Sequence, residues 1–315
     1  MKKLRELNGV LLLDKPPGLT SNSALQRVKR LFNAKHIKVG HTGSLDPLAT
    51  GMLPICFGEA TKFSGFLLNA DKKYLVTMQL GVKTDTGDLD GSIIATDDNS
   101  KTYDFTELHI NKVLTGFLGE ISQIPPIYSA IKQNGVPLYK IARIAKKKSE
   151  TINIIPLPRM IKIYNIKLLN ICHVKQQISL EVYCSKGTYI RSLVEDIAVQ
   201  LNCLATVATL RRTVVGNFLP ENMVTVAELA NYSTNLEQIL LPVEICLANL
   251  PVLKINQIDA VLLQQGKRVY LDDLELKFGC NSLICLINYS NNELLGVGEV
   301  IEDNILVAKR LVRFN

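Results

Sequence analysis

The chain has 315 residues, 47% of them hydrophobic and 21% charged, an ordinary globular balance that excludes a disordered or fibrous protein. Its formal charge of +7 is unevenly spread: residues 246–315 hold seven basic and eight acidic side chains, leaving 29 basic against 21 acidic in residues 1–245. That excess suggests a polyanionic partner without requiring one, and seven cysteines, odd in number with no C-x-x-C pair, argue against a disulfide framework or zinc ribbon and for a reduced cytoplasm.

The first five residues are basic like the start of a signal peptide, but the apolar run Val10 to Leu13 is stopped by Asp14 and is too short for an h-region. No apolar run approaches membrane-spanning length. Gly9 to Leu13 instead reads as a buried strand, ended by the turn formers of Asp14-Lys-Pro-Pro-Gly18. Thr20 or Ser21 can cap a helix with Ala24, Leu25, Val28, Leu31 and Phe32 on one face. The glycines and prolines of residues 40–54 then predict a loop that fixes turns and lets backbone approach a ligand, rather than a regular element.

Beyond the loop, Tyr74, Val76, Met78 and Leu80 alternate as a strand, Phe105 to Leu118 looks helical, and Ile124 to Ser129 is held extended by its prolines. Lys140 to Lys148 suggests a basic helix or arm, or merely a solvated charged face. Ile178 to Cys184 alternates as a strand and turns at Lys186-Gly187-Thr188 into a helix, placing Tyr189 and Arg191 at the junction. A composition shift near residue 246, helix-like Gln257 to Gln265 and a strand at Ser282 to Ile287 mark a small separate module.

Among candidate chemistry, Asp46 stands out as the one acid between Asp14 and Glu59, among Lys15, Arg27, Lys29, Arg30, Lys35 and Lys38. It reads either as an Asp-Pro turn starter or as a nucleophile or general base kept ionised by nearby cations. Tyr74 and Tyr189 are core aromatics or platforms for a stacked base; His41 is a loop histidine; Arg191 can pair with Glu195 one helical turn on. Asp85-Thr-Gly87 matches half an aspartic-protease signature, but its single copy and neighbouring acids read as a structural turn. No Walker A, Rossmann, H-E-x-x-H or G-x-S-x-G pattern is present.

Several segments together resemble the bacterial tRNA pseudouridine-55 synthase (TruB) family. They are Gly9 to Ser21, Gly40 to Pro54, Gly58 to Lys62, Thr84-Asp-Thr86, Gln123 to Pro126 with Tyr128-Ser-Ala130, Cys184 to Leu193, and Leu210-Arg-Arg-Thr213, in family order. Two departures are Ala198 and Ala145, at or near positions usually glycine. The resemblance implies isomerisation of a flipped-out T-loop uridine of tRNA, with Asp46 as nucleophile and neither metal nor organic cofactor. It implies that Tyr74 stacks on the uracil, that Tyr189 and Leu210 line its pocket, that Arg191 pairs with Asp46 with Lys15 in support, and that His41 fills the vacated space in the RNA loop. The fold implied is a mixed α/β pseudouridine synthase fold around a central, largely antiparallel sheet (residues 1–245), then a small β-rich PUA-like RNA-binding module (residues 246–315). A non-catalytic tRNA-binding factor and a base-releasing N-glycosidase are the competing readings of the same features.

Overall fold

Residues 9–15 (β1) form an apolar strand buried on both faces, and in the computed structural model this strand lies inside the main sheet. The structure describes residues 7–98, 103–148, 154–232, 236–271 and 279–313. Helix α1 (Ser21–Leu31) begins where the Thr20 hydroxyl accepts the Ser23 N–H, and it buries Ala24, Leu25 and Val28 as its periodicity predicts.

Strands β2 (Val39–His41) and β3 (Thr50–Phe57) follow, then α2 (Ser64–Asn69) and β4 (Lys72–Leu80), whose burial alternates residue by residue. A side hairpin pairs β5 (Val82–Thr84) with β6 (Ile93–Thr96). Helix α3 (Glu107–Thr115), shorter than its sequence pattern because Thr106 caps its start and Gly116 its end, leads into β7 (Gly119–Gln123). A small hairpin of β8 (Lys132–Gln133) and β9 (Val136–Pro137) precedes the basic helix α4 (Leu138–Lys148). Strands β10 (Arg159–Cys172) and β11 (Gln177–Cys184), helix α5 (Ile190–Gln200), β12 (Ala205–Val215), β13 (Val224–Thr225) and α6 (Val226–Asn231) complete the larger body.

The main sheet runs β13-β1-β3-β12-β4-β11-β10-β7, with β2 paired to β3. It is antiparallel except at β1–β13 and β3–β12. One correction concerns residues 40–54, which are not irregular throughout. His41 ends β2, Thr50 to Pro54 open β3, and the loop proper spans residues 42–49. Because β3 is buried on both faces it has no alternation to betray it, and glycine and proline disguise it further. Ala198 and Ala145 sit in regular helix, both buried, so the methyl groups are accommodated.

The second, smaller sheet is built from β14 (Val252–Ile255), β15 (Val269–Tyr270), β16 (Ser282–Asn288), β17 (Leu294–Ile301) and β18 (Ile305–Leu311), with α7 (Gln257–Gln264) contributing Ala260 and Leu263 to its core. Residue 246 falls inside a short 3-10 turn, Val243–Leu247. A continuous apolar cluster joins Val10, Met52 and Phe63 of the body to Leu294, Val297 and Val312 of the small sheet. Glu59 adds a polar latch: it accepts from Lys62 (2.6 Å) and from the Arg313 N–H (2.6 Å), while Lys62 also reaches the Leu311 carbonyl (3.0 Å).

Candidate active site

The 42–49 loop is gripped from two sides. At the start of α1, Ser21 Oγ accepts the Leu45 N–H (2.7 Å) and donates to the Leu45 carbonyl (3.0 Å). The Gly18 N–H binds the Pro47 carbonyl (2.8 Å), which also takes a weaker bond from Lys15 Nζ (3.3 Å). From the opposite side, the buried Arg212 of β12 donates to the carbonyls of Met52 (2.7 Å) and Gly43 (2.9 Å). Within this frame the Ala49 N–H closes a turn onto the Asp46 carbonyl (3.1 Å). Asp46 is therefore an Asp-Pro turn starter as well as the centre of the site.

Its carboxylate meets a cation far away in sequence. Arg191 Nε lies 2.9 Å from Asp46 Oδ2, and Nη2 lies 3.3 Å from Oδ1. The arginine side chain is 6% exposed and the aspartate side chain 36%, so the acid faces the open side. Arg191 is itself anchored by the carbonyls of Thr86 (2.6 Å) and Tyr128 (2.8 Å). A planar guanidinium fixed by backbone in this way holds a carboxylate in one orientation. Glu195, the alternative partner, lies 3.8 Å from Lys83 instead.

The other expected residues converge unequally. Tyr74 is buried and stands opposite Arg212 in the β4–β12 register, with its hydroxyl toward the guanidinium; burial pushes the phenol up. Leu210 alternates with Arg212 along β12, which puts it on the Tyr74 face. Tyr189 is held through its backbone, where the Gln123 amide bridges its N–H (2.8 Å) and carbonyl (3.1 Å), and burial raises its phenol too. Both phenols lie close enough to Asp46 to feel its charge. His41 is half-buried, and burial followed by the Arg212 charge lowers its pKa, favouring the neutral ring. The hydroxyl of Thr42 and Nδ1 of His41, bordering the loop, are buried without hydrogen-bond partners.

Lys15 is fully buried, donating to Pro16 (2.8 Å) and Leu19 (2.7 Å) carbonyls, and burial pushes its pKa down to about 8 against the pull of Asp46 and Asp90 and with the push of Arg212. The folded value lies below the unfolded 10.5, so the charged lysine costs stability below about pH 8, and this cost disappears as pH rises toward 10.5. Denaturant unfolding of the wild type and Lys15→Met should therefore show the wild type gaining stability relative to the variant across that window. A constant difference would mean that Lys15 titrates normally.

Two site features were not read from the sequence. The acidic turn after β5 is structural support for the site itself, because the Thr86 carbonyl anchors Arg191 and the buried Asp88 feels both Arg191 and Asp46. The Asp88 carboxylate thus lies close enough to Asp46 to feel its charge. Arg212 was passed over inside the Leu210-Arg-Arg-Thr213 block, although strand alternation puts Arg212 on the same face as the apolar Leu210 while Arg211 turns away to a two-pronged pair with Asp14 (2.9 and 2.7 Å). Among the described residues, no three His, Cys, Asp or Glu side chains gather as metal ligands.

Residues 29–190 match the N-terminal domain of TruB family pseudouridylate synthase, and residues 191–248 match the tRNA pseudouridylate synthase B C-terminal domain. The chain belongs to the TruB family. Like the rest of that family it is a pseudouridine synthase, an isomerase. It is similar to tRNA pseudouridine synthase B of Coxiella burnetii (strain RSA 493 / Nine Mile phase I), 44% identical over 98% of this chain and 96% of that protein. The protein of the same name from Actinobacillus pleuropneumoniae serotype 5b (strain L20) is 42% identical over 99% and 98%. Among solved structures, a chain of a Cbf5-Nop10-Gar1 complex superposes with a TM-score of 0.70 at 26% identity, covering 95% of this TruB family chain and 80% of its own. No helix among the described residues is long and apolar enough to cross a membrane.

Proposed function

We propose that this synthase converts the T-loop uridine at position 55 of tRNA to pseudouridine in the cytoplasm, with Asp46 as nucleophile. The observation that carries the reading is the Asp46 carboxylate held by a backbone-anchored Arg191 and open to solvent on its other side. tRNA enters through the names of the relatives and through the positive excess of residues 1–245.

A stacked uracil is unreachable, so the nucleotide flips out, at a cost of a few kcal/mol that pocket contacts must offset. Tyr74 stacks on the base, Tyr189 and Leu210 line its pocket, and His41 fills the space vacated in the RNA loop. Asp46 supplies the covalent handle while the N1–C1′ bond breaks. The base then rotates, the bond to Asp46 is released as a C5–C1′ bond forms, the proton on C5 leaves to solvent and N1 takes one up, so nothing is oxidised or reduced. Helices α1 and α4 offer their basic residues to T-arm phosphates, contacts that position RNA without reading it. The PUA-like module, residues 246–315, holds RNA beyond the loop.

Tritium release from a tRNA transcript labelled at uracil C5 tests this. One equivalent should be lost per tRNA, and none from a transcript with cytidine at position 55. Equal release from both transcripts would overturn the T-loop assignment, and free uracil among the products would indicate an N-glycosidase.

A further inference from the structure

We infer that Arg212 is a positioning residue that locks the Asp46 loop to the uracil-stacking Tyr74, so that nucleophile and base platform move as one unit. The inference rests on the reading of Asp46 and Tyr74 given above. Arg212 is 1% exposed, and burying a guanidinium is costly unless its donors are used. No carboxylate pairs with it among the described residues. Its donors go to the Gly43 and Met52 carbonyls, one on each side of Asp46, which ties the two stems of the loop together.

The loop glycines fit this arrangement. At Gly51, φ is +96°, and a Cβ would meet the Arg212 carbonyl oxygen at 2.2 Å. At Gly43, φ is +82°, and a Cβ would press on Arg212 Nη1 at 3.3 Å. Both positions admit Arg212, backbone at one and guanidinium at the other, so these glycines serve an internal contact. The cross-strand pairing of Arg212 with Tyr74 then places the same guanidinium beside the phenol hydroxyl.

The test uses Arg212→Lys, which keeps the charge but has no fork to bridge two carbonyls. The single-turnover rate of tritium release should fall about 100-fold, as expected when reacting groups are misplaced by roughly 1 Å. tRNA Kd should stay within about threefold, since the lost interaction acts in the transition state. Amide exchange of residues 42–52 should quicken in the variant, a readout independent of activity. Combined with Tyr74→Phe, the loss should be less than the product of the two single losses, because both changes break one unit.

A folded Arg212→Lys protein with wild-type rate and unchanged exchange would overturn the inference while leaving Asp46 chemistry intact. Multiplicative losses would remove Tyr74 from the unit and overturn the lock as stated. If Arg212→Lys does not fold, Gly43→Ala decides: it should slow turnover and quicken loop exchange, and wild-type behaviour in both would overturn the inference. A wild-type protein that releases no tritium would instead strike the functional reading, with loop exchange still reporting on the clamp.

Discussion

Asp46→Asn should abolish turnover, lowering the single-turnover rate by about 10⁴-fold or more, with tRNA affinity within a few-fold of wild type. Asparagine keeps the shape of the side chain, and the turn that Asp46 starts is closed by its backbone carbonyl, which the change does not touch. The Arg191 guanidinium also keeps the Thr86 and Tyr128 carbonyls when its carboxylate partner is lost. The fold should therefore survive, and the loss should be chemical. Rapid-quench tritium release together with filter binding separates the two terms; a variant retaining more than about a tenth of the wild-type rate would remove Asp46 from the nucleophile role.

Arg191→Met should strike rate and stability together. The aspartate is open enough to be rehydrated, but the Thr86 and Tyr128 carbonyls lose their donors in a buried setting, at about 1–3 kcal/mol for each group left unsatisfied. A stability loss of roughly 3 kcal/mol in urea unfolding follows, with a rate loss on the order of 10³-fold as the proposed nucleophile loses its orientation. Arg191→Lys should recover part of the stability and little of the rate, because a point charge cannot serve a carboxylate and two carbonyls at fixed angles. Equal recovery of both would show that charge alone, not the fork, is what Asp46 needs.

Local pattern made much of this fold legible. Strand β4 has one buried face and announces itself by strict alternation, α1 by its apolar stripe and threonine cap, and Tyr189 and Arg191 by the turn that starts α5. The Asp46 block was conspicuous because an isolated acid in a basic stretch is unusual. What local pattern leaves out depends on distance in sequence. Arg191 has a nearby acid in Glu195, so its pairing with Asp46 was expected from the family resemblance and not from the residues around it. The acidic turn at residues 85–90 reads only as a structural turn until Arg191 is seen to donate to the Thr86 carbonyl. Strand β3 is buried on both faces and carries glycine and proline, so neither period nor composition reveals it.

The place of β12 in the main sheet has a consequence for how the molecule comes into being. Strands β3 and β4 are near neighbours along the chain, yet β12 lies between them and pairs with both. While the polypeptide is emerging from a ribosome, Asp46, Tyr74 and Arg191 are all made before the strand that brings their supports into line. Until residue 212 emerges, β3 and β4 have no shared neighbour and the Gly43 and Met52 carbonyls have no clamp. A nascent chain can thus carry Asp46, Tyr74 and Arg191 without the frame that aligns them, and that frame is complete only when this late strand is inserted.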